Sequence, residues 1–170
     1  TYFACQTIGA VAVPLNFRLS PGEAAYIVRD SGARVLVYGR QLIENTLKIA
    51  EQIRSVHDYI CCAYDPANVP AGHLHFDTLA EKTEDRAEPR PIPLGADVSA
   101  LVYTSGTTGR PKGVIHSHAN DIAIAMNCVM EYGLSHRDNA LHIAPLYHVG
   151  GMQAFFLPHL MVGGTNVVLG

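Results

Sequence analysis

Residues 103–114 read Y-T-S-G-T-T-G-R-P-K-G-V, and the interpretation of the whole chain starts from this stretch. It follows the apolar run 100–102 and holds three glycines, four Ser/Thr hydroxyls and one lysine. Glycines let a backbone approach a ligand closely, and amides and hydroxyls can donate to phosphate oxygens. Lys112 adds a mobile positive charge that suits a polyphosphate. The pattern predicts a strand, a nucleotide-phosphate loop and a second strand that starts near Gly113.

Two common phosphate-binding motifs do not match this stretch. A Walker A loop has the form G-x-x-x-x-G-K-[ST] and runs into a helix, whereas the spacing here is G-x-x-G-x-x-K followed by glycine. Pro111 and the β-branched Val114 and Ile115 favour a strand after the loop. The dinucleotide fingerprint G-x-G-x-x-G is absent. The simple alternative is a surface turn, but lysine, proline and three glycines at these offsets rarely coincide in one.

The composition is that of a folded protein with an apolar core. The chain has 170 residues, of which 48% are hydrophobic and 16% charged, and its mean hydropathy is +0.12. The net charge of −3 predicts no nucleic acid partner. We find no signal peptide and no uninterrupted apolar run near the length that spans a membrane, which predicts a cytoplasmic protein without a transmembrane segment. The four cysteines lack C-x-x-C spacing, and adjacent Cys61 and Cys62 are predicted to be buried.

The chain ends predict a segment of a longer protein. Thr1 is not a methionine, and Gly170 directly follows an apolar run. We expect residues 1–170 to be an incomplete domain, with a Pro- and charge-rich linker at 82–98 before a phosphate-loop subregion at 99–170. An interrupted sheet exposes an apolar edge, so self-association into a homo-oligomer is left open.

Helical and strand patterns alternate along the chain, which predicts the α/β class. Ser20, Pro21 and Glu23 form a helix-start pattern, and Gly32 is a helix stop. The predicted helices are 1–9, 21–30, 41–55, 77–81, 120–132 and 151–161. The predicted strands, besides the two flanking the loop, are 10–15, 34–38, 57–64, 141–144 and 165–169, and residues 65–76 are predicted to be a loop.

The string at 103–114 strongly resembles the signature loop of the adenylate-forming superfamily, which includes acyl-CoA synthetases, aryl-CoA ligases, luciferases and peptide-synthetase adenylation domains. Residues 144–152, A-P-L-Y-H-V-G-G-M, resemble the P-L-[FY]-H-x-x-G element that lines the acyl pocket of that family. A weaker match is G-A-V-A-V-P-L-N at 9–16. The resemblance implies part of the large N-terminal domain, with mixed sheets flanked by helices, and is closest to the CoA ligases.

The resemblance also implies an activity and a set of site residues. The activity is ATP-dependent activation of a fatty or aryl carboxylic acid, followed by thioester formation with coenzyme A, and magnesium is expected with ATP. Lys112 would track the departing pyrophosphate, and His148 would lie near the junction of carboxylate and α-phosphate. The implied phosphate-loop residues are Thr104, Ser105, Gly106, Thr107, Thr108, Gly109 and Lys112, with Thr107 a weaker candidate contact to ATP-bound magnesium. The implied pocket residues are Tyr147, His148, Gly150 and Gly151.

Several alternatives follow from what residues 1–170 lack. This stretch does not contain the later Y-G-x-T-E and T-G-D elements or the C-terminal lysine of the superfamily. The segment alone is therefore not expected to catalyse the reaction. An adenylation domain or a non-catalytic nucleotide-binding module of the same fold therefore stays open. A phosphotransferase would need a catalytic aspartate that we do not see. His116-x-His118 has no partner at zinc-like spacing, and we expect His118 to be a helix-entry residue.

Overall fold

The structure, a computed structural model, describes residues 1–82, 94–105 and 109–169. The chain divides into two units, the first built from residue 1 and residues 15–90 and the second from residues 2–14 and 91–170. The predicted linker at 82–98 lies mostly outside the described residues and stays a prediction.

Helices and strands alternate, as the sequence predicts for the α/β class. The helices are α1 (Tyr2–Thr7), α2 (Pro21–Asp30), α3 (Ile43–Ala50), α4 (Phe76–Lys82), α5 (His118–Tyr132) and α6 (Leu157–Met161). The strands are β1 (Val35–Gly39), β2 (Asp58–Cys62), β3 (Leu74–His75), β4 (Val98–Thr104), β5 (Lys112–Ser117), β6 (Asn139–His142) and β7 (Thr165–Val168). Short 3-10 helices cover Arg40–Leu42 and Pro66–Asn68, and a π-helix covers Gly150–Phe156.

The first unit holds a parallel three-stranded sheet in the order β1-β2-β3. Its core joins one face of α2 to α3 and the turn that follows α3. The predicted start of α2 is confirmed, because Ser20 and Glu23 form a reciprocal capping box. Gly32, at φ +67°, follows the end of that helix as predicted. The buried residues of this core are Ala24, Ala25, Val28, Ile49 and Ile53.

Three expectations for the first unit are wrong in part. The helix predicted at 41–55 forms only as α3, because the chain tightens after it, where the Gln52 amide bonds to the Ile49 carbonyl three residues back. The loop predicted at 65–76 contains β3, which pairs with β2. Cys62 is exposed while Cys61 is buried, since successive side chains of a strand point to opposite faces.

The second unit is organised around an antiparallel hairpin of β4 and β5, which confirms the predicted strand–loop–strand. The predicted strand at 10–15 is wrong, because only Ala12 pairs with β4, in an isolated bridge to Ala100. Ala12 and Ala100 are buried together with Val102 in the core of this unit. Helix α5 follows β5 directly and ends at Gly133 in the left-handed conformation, as predicted.

The C-terminal part of the second unit pairs β6 with β7 in parallel. The helix predicted at 151–161 is there, but its first seven residues form a π-helix and only Leu157–Met161 are α-helical. Pro158, which lacks an amide hydrogen, lies in α6 directly after the π-helix, and the backbone stays helical across this junction. Single π-helical turns are rare and occur frequently at functional sites.

Candidate functional site

The β4–β5 hairpin places hydroxyl and ammonium groups at one end of the second unit. Thr104, the last residue of β4, is the register partner of Lys112, the first residue of β5. Both side chains are exposed, as is Ser105. Gly109 has φ +81°, a conformation that L-residues rarely adopt, and its backbone therefore depends on glycine. Four of the seven predicted loop residues thus lie at this end of the hairpin.

The other three loop residues, Gly106, Thr107 and Thr108, lie outside the described part of the chain. Their predicted contacts to phosphate stay predictions, and so does the link from Thr107 to magnesium.

A tyrosine ring explains why glycine follows the loop lysine. Tyr103 and Gly113 are register partners on β4 and β5. A Cβ atom on Gly113 would lie 3.0 Å from Cζ of the Tyr103 ring, which is closer than ordinary van der Waals contact. Gly113 therefore lets this ring lie over the β5 backbone beside Lys112. Sequence reasoning included Gly113 in the motif but did not predict this contact.

The second predicted segment, residues 144–152, folds into a tight turn that leads into the π-helix. The His148 amide donates to the Pro145 carbonyl at 3.1 Å, and the Met152 amide donates to the His148 carbonyl at 3.0 Å. Gly151 is buried against this turn. A Cβ atom there would lie 2.4 Å from the Pro145 carbonyl oxygen, so no side chain fits.

The ring of His148 is oriented by the backbone of its own turn. The Gly150 amide donates to Nδ1 of His148 at 3.1 Å. Because Nδ1 accepts this hydrogen bond, the proton of the neutral ring is on Nε2. The His148 side chain is exposed, so Nε2–H is available to donate to a bound anion. Tyr147, the preceding predicted pocket residue, is half-buried.

An apolar groove of about 320 Å³ begins beside this segment. It runs along β6 to Ala144 and is closed on its other side by Phe155 and His159. Nδ1 of His159 is held by the Phe155 carbonyl at 2.8 Å, and Nε2 of His142 by Oδ1 of Asn166 at 2.6 Å. Apart from Ala144, which begins the second motif, sequence reasoning did not single out these groove residues. The groove of about 380 Å³ in the first unit shares no residue with the predicted site.

A buried carboxylate, which sequence reasoning did not identify, lies at the centre of the second unit. Asp121 is 4% exposed and accepts hydrogen bonds from Ser99, Gln6 and Gln153. Burial, followed by the negative charge of Asp121, raises the pKa of Tyr2 to about 12. An aspartate in the first turn of a helix is ordinarily interpreted as an exposed residue that complements the helix dipole, so the sequence carries no clear signal of this burial.

Neither a metal-binding cluster nor a membrane span emerges from the parts of the chain that the structure describes. Within residues 1–82, 94–105 and 109–169, no group of three or more His, Cys, Asp or Glu side chains could hold a metal ion. No helix in those ranges is both long and apolar enough to cross a bilayer. His118 is the first residue of α5, as expected for a helix-entry residue.

The tight packing of Gly151 leads to a prediction about stability. Gly151→Ala should lower the free energy of unfolding by about 1 to 3 kcal/mol, because the added Cβ meets a backbone carbonyl that cannot rotate away. Urea denaturation of the full-length protein, monitored by circular dichroism, measures the change.

Gly150→Ala is the matched control for this prediction. A Cβ there would meet Nδ1 of His148 at 3.3 Å, and a side chain can shift where a backbone cannot. We expect a smaller loss of stability than for Gly151→Ala. Equal unfolding midpoints for the two variants would contradict the packing argument.

The whole chain matches a known protein family. The model of the AMP-binding enzyme family covers residues 1–170. Among curated relatives, a feruloyl-CoA synthase from Amycolatopsis is 38% identical over 169 residues, which are 99% of this chain and 30% of that protein. The long-chain-fatty-acid–CoA ligase FadD13 of Mycobacterium tuberculosis is 33% identical over 153 residues, which are 89% of this chain and 28% of that protein. The chain thus spans less than a third of these relatives.

Solved structures agree with the observed fold. The inhibitor-bound N-terminal domain of FACL13 from Mycobacterium tuberculosis superposes with a TM-score of 0.82 at 30% identity, over 99% of this chain and 40% of that one. The anthranilate CoA ligase AuaEII in complex with anthranoyl-AMP superposes with a TM-score of 0.81 at 27% identity, over 99% of this chain and 32% of that one. The predicted fold, part of the N-terminal domain of an adenylate-forming enzyme, is confirmed.

Proposed function

Because the chain belongs to the AMP-binding enzyme family, we propose that it is part of an AMP-forming acid–thiol ligase. In this proposal the full-length protein activates a fatty or aryl carboxylic acid with ATP and transfers the acyl group to coenzyme A. The observation that carries the proposal is the hairpin end, where exposed Thr104 and Lys112 face each other across a glycine-rich connection. Such a connection offers amides, hydroxyls and one cation to a polyphosphate.

The chemistry of activation explains why these groups are needed. A carboxylate oxygen attacks the α-phosphorus of ATP, the bond from that phosphorus to the bridging oxygen breaks, and pyrophosphate leaves. Negative charge therefore builds up on the leaving group, and a positive charge beside it lowers the barrier. Lys112 fits this role because its side chain is exposed at the start of β5. The thiol of coenzyme A then attacks the acyl carbon, and AMP is released.

His148 is proposed to act at the reacting end of the carboxylate. Its Nε2–H is exposed, while Nδ1 is held by the Gly150 amide. A donor fixed in this way can hydrogen-bond to a carboxylate or α-phosphate oxygen without first reorganising its own turn. Tyr147 and Gly151 are proposed to form the wall of the acyl pocket, which would continue into the apolar groove along β6.

Magnesium is proposed to bind together with the triphosphate. The described residues near the hairpin end provide hydroxyls and an ammonium group, and no acidic cluster that would hold a divalent cation occurs in the described ranges. A nucleotide triphosphate itself supplies phosphate oxygens to magnesium, and the ion commonly keeps several waters. One hydroxyl of the loop would then suffice from this segment, and Thr107 stays the candidate.

ATP–pyrophosphate exchange by the full-length protein tests the proposal. The assay should cover short, medium and long fatty acids and a panel of aryl acids, with coenzyme A added afterwards. We expect exchange with one class of acid and then formation of its thioester. The names of the two curated relatives support both classes, since one is a feruloyl-CoA synthase and the other a long-chain-fatty-acid–CoA ligase. ATP binding without exchange for any acid would instead favour a non-catalytic nucleotide-binding module.

A further inference from the structure

The carboxylate of Asp121 joins elements that are far apart in the sequence. Oδ2 accepts from the Ser99 hydroxyl at 2.7 Å and from Nε2 of Gln6 at 3.0 Å. Oδ1 accepts from Nε2 of Gln153 at 2.6 Å, and Nδ1 of His116 lies 3.7 Å from the same oxygen. These partners come from β4, α1, the π-helix and β5. Asp121 itself is in the first turn of α5.

Burying this carboxylate is costly unless its oxygens are satisfied. An unpaired buried charge is strongly destabilising, whereas hydrogen bonds to the ionised form compensate for the lost hydration. Three donors surround Asp121, and the two shortest contacts come from Ser99 and Gln153. Gln153 is only 2% exposed, and its Nε2, besides donating to Asp121, lies 3.1 Å from Nδ1 of His116. The geometry around Asp121 is therefore closely defined.

The two shortest contacts lead to the two halves of the candidate site. Ser99 is in β4, the strand that ends at Thr104 opposite Lys112. Gln153 is in the π-helix, whose first residue, Gly150, holds the ring of His148. Met152 of the same helix donates its amide to the His148 carbonyl. Asp121 thus connects the hairpin that carries the loop with the helix that orients His148.

We propose that Asp121 is a positioning residue that holds the π-helix, and with it His148, at a fixed distance from the phosphate-loop hairpin. This inference rests on the proposed function. In-line attack needs the carboxylate oxygen aligned with the bond between the α-phosphorus and the leaving group. A displacement of about 1 Å can cost roughly 10²-fold in rate. Asp121 contacts neither group directly and would act through Gln153.

Exchanging the hydrogen-bonding groups of one pair tests the proposal. Asp121→Asn places an amide NH₂ opposite the Gln153 NH₂, and Gln153→Glu places a second carboxylate opposite Asp121. The double variant D121N/Q153E restores one donor and one acceptor, because the NH₂ introduced by D121N can donate to the carboxylate introduced by Q153E. The amide oxygen introduced by D121N still accepts from Ser99 and Gln6.

All variants are made in the full-length protein and measured by ATP–pyrophosphate exchange. We expect each single substitution to lower kcat roughly tenfold, with KM for ATP changed by less than about threefold, and the double variant to recover most of the loss. Asp138→Asn is the matched control, since Asp138 also accepts hydrogen bonds from a serine, Ser135, in a turn of the same unit. This control should leave kcat unchanged.

Two results would overturn the proposal. One is single variants that unfold at lower urea concentration but keep the wild-type kcat, since Asp121 would then be only structural. The other is a double variant whose kcat falls by as much as the two single-variant decreases combined, since Asp121 and Gln153 would then not act as a pair.

A second measurement does not depend on catalysis. Histidine side-chain ¹⁵N NMR reports the hydrogen bond at Nδ1 of His148, and His148→Gln identifies its signal. We expect a changed signal in Asp121→Asn and a wild-type signal in the double variant. If the wild type shows no exchange with any acid, the proposed function fails and this measurement decides the positioning role alone. An unchanged His148 signal in Asp121→Asn would overturn it.

Discussion

Replacement of Lys112 by alanine in the full-length protein is expected to lower kcat/KM for acyl-adenylate formation about 10²-fold. The lysine is exposed at the start of β5 and faces Thr104 across the hairpin, where the proposed function places the departing pyrophosphate. Removing a positive charge from such a site costs more in the transition state, where the leaving group gains charge, than in the ground state. Stability should change by less than about 0.5 kcal/mol, since the residue is on the surface.

Two other cations serve as controls for Lys112→Ala. Arg110 is exposed two residues earlier, and Lys48 is exposed on α3 in the first unit. Arg110→Ala tests whether any charge near the loop suffices, and Lys48→Ala tests the effect of net charge alone. Both should retain most of the exchange activity. An Lys112→Ala variant with wild-type rate and wild-type stability would remove this lysine from the site.

The hairpin could be predicted from the sequence because its signals are local. An apolar run, closely spaced glycines and the β-branched pair Val114 and Ile115 indicate strand, loop and strand without reference to other parts of the chain. The same holds for the ends of α2 and α5, where capping residues and glycines lie next to the helix. The strand predicted at 10–15 failed because this apolar run, A-V-A-V-P-L, pairs with β4 only through the isolated bridge from Ala12 to Ala100.

The interior of the second unit could not be predicted in the same way. Asp121 is separated from Ser99 by 22 positions in the sequence and from Gln153 by 32, and each of the three has an ordinary local interpretation. Only the packing of β4, α5 and the π-helix shows that they share one carboxylate. The π-helix itself differs from an α-helix by the register of its hydrogen bonds, for which residues 150–156 carry no clear sequence signal. Family resemblance identified His148 but not the groups that hold it.

Substitutions of His148 can separate the roles of its two ring nitrogens. Asparagine places an oxygen near the position of Nδ1, which can accept from the Gly150 amide, but it lacks a donor at the position of Nε2. Glutamine reaches the position of Nε2 with an amide NH₂. We expect His148→Asn to lower kcat for adenylate formation about 10²-fold, as for the loss of one fixed donor, and His148→Gln to retain clearly more activity.

The comparison separates donation to substrate from support of the turn. If His148 acts through Nε2–H, the variant that keeps a donor at this position is the more active one. The glutamine variant then has a higher kcat than the asparagine variant, although it does not reproduce the bond to the Gly150 amide. If His148 serves only the turn, the order reverses, because asparagine preserves that bond. Measuring kcat and the urea midpoint for both variants distinguishes the two cases, and a more active asparagine variant would assign His148 a structural role.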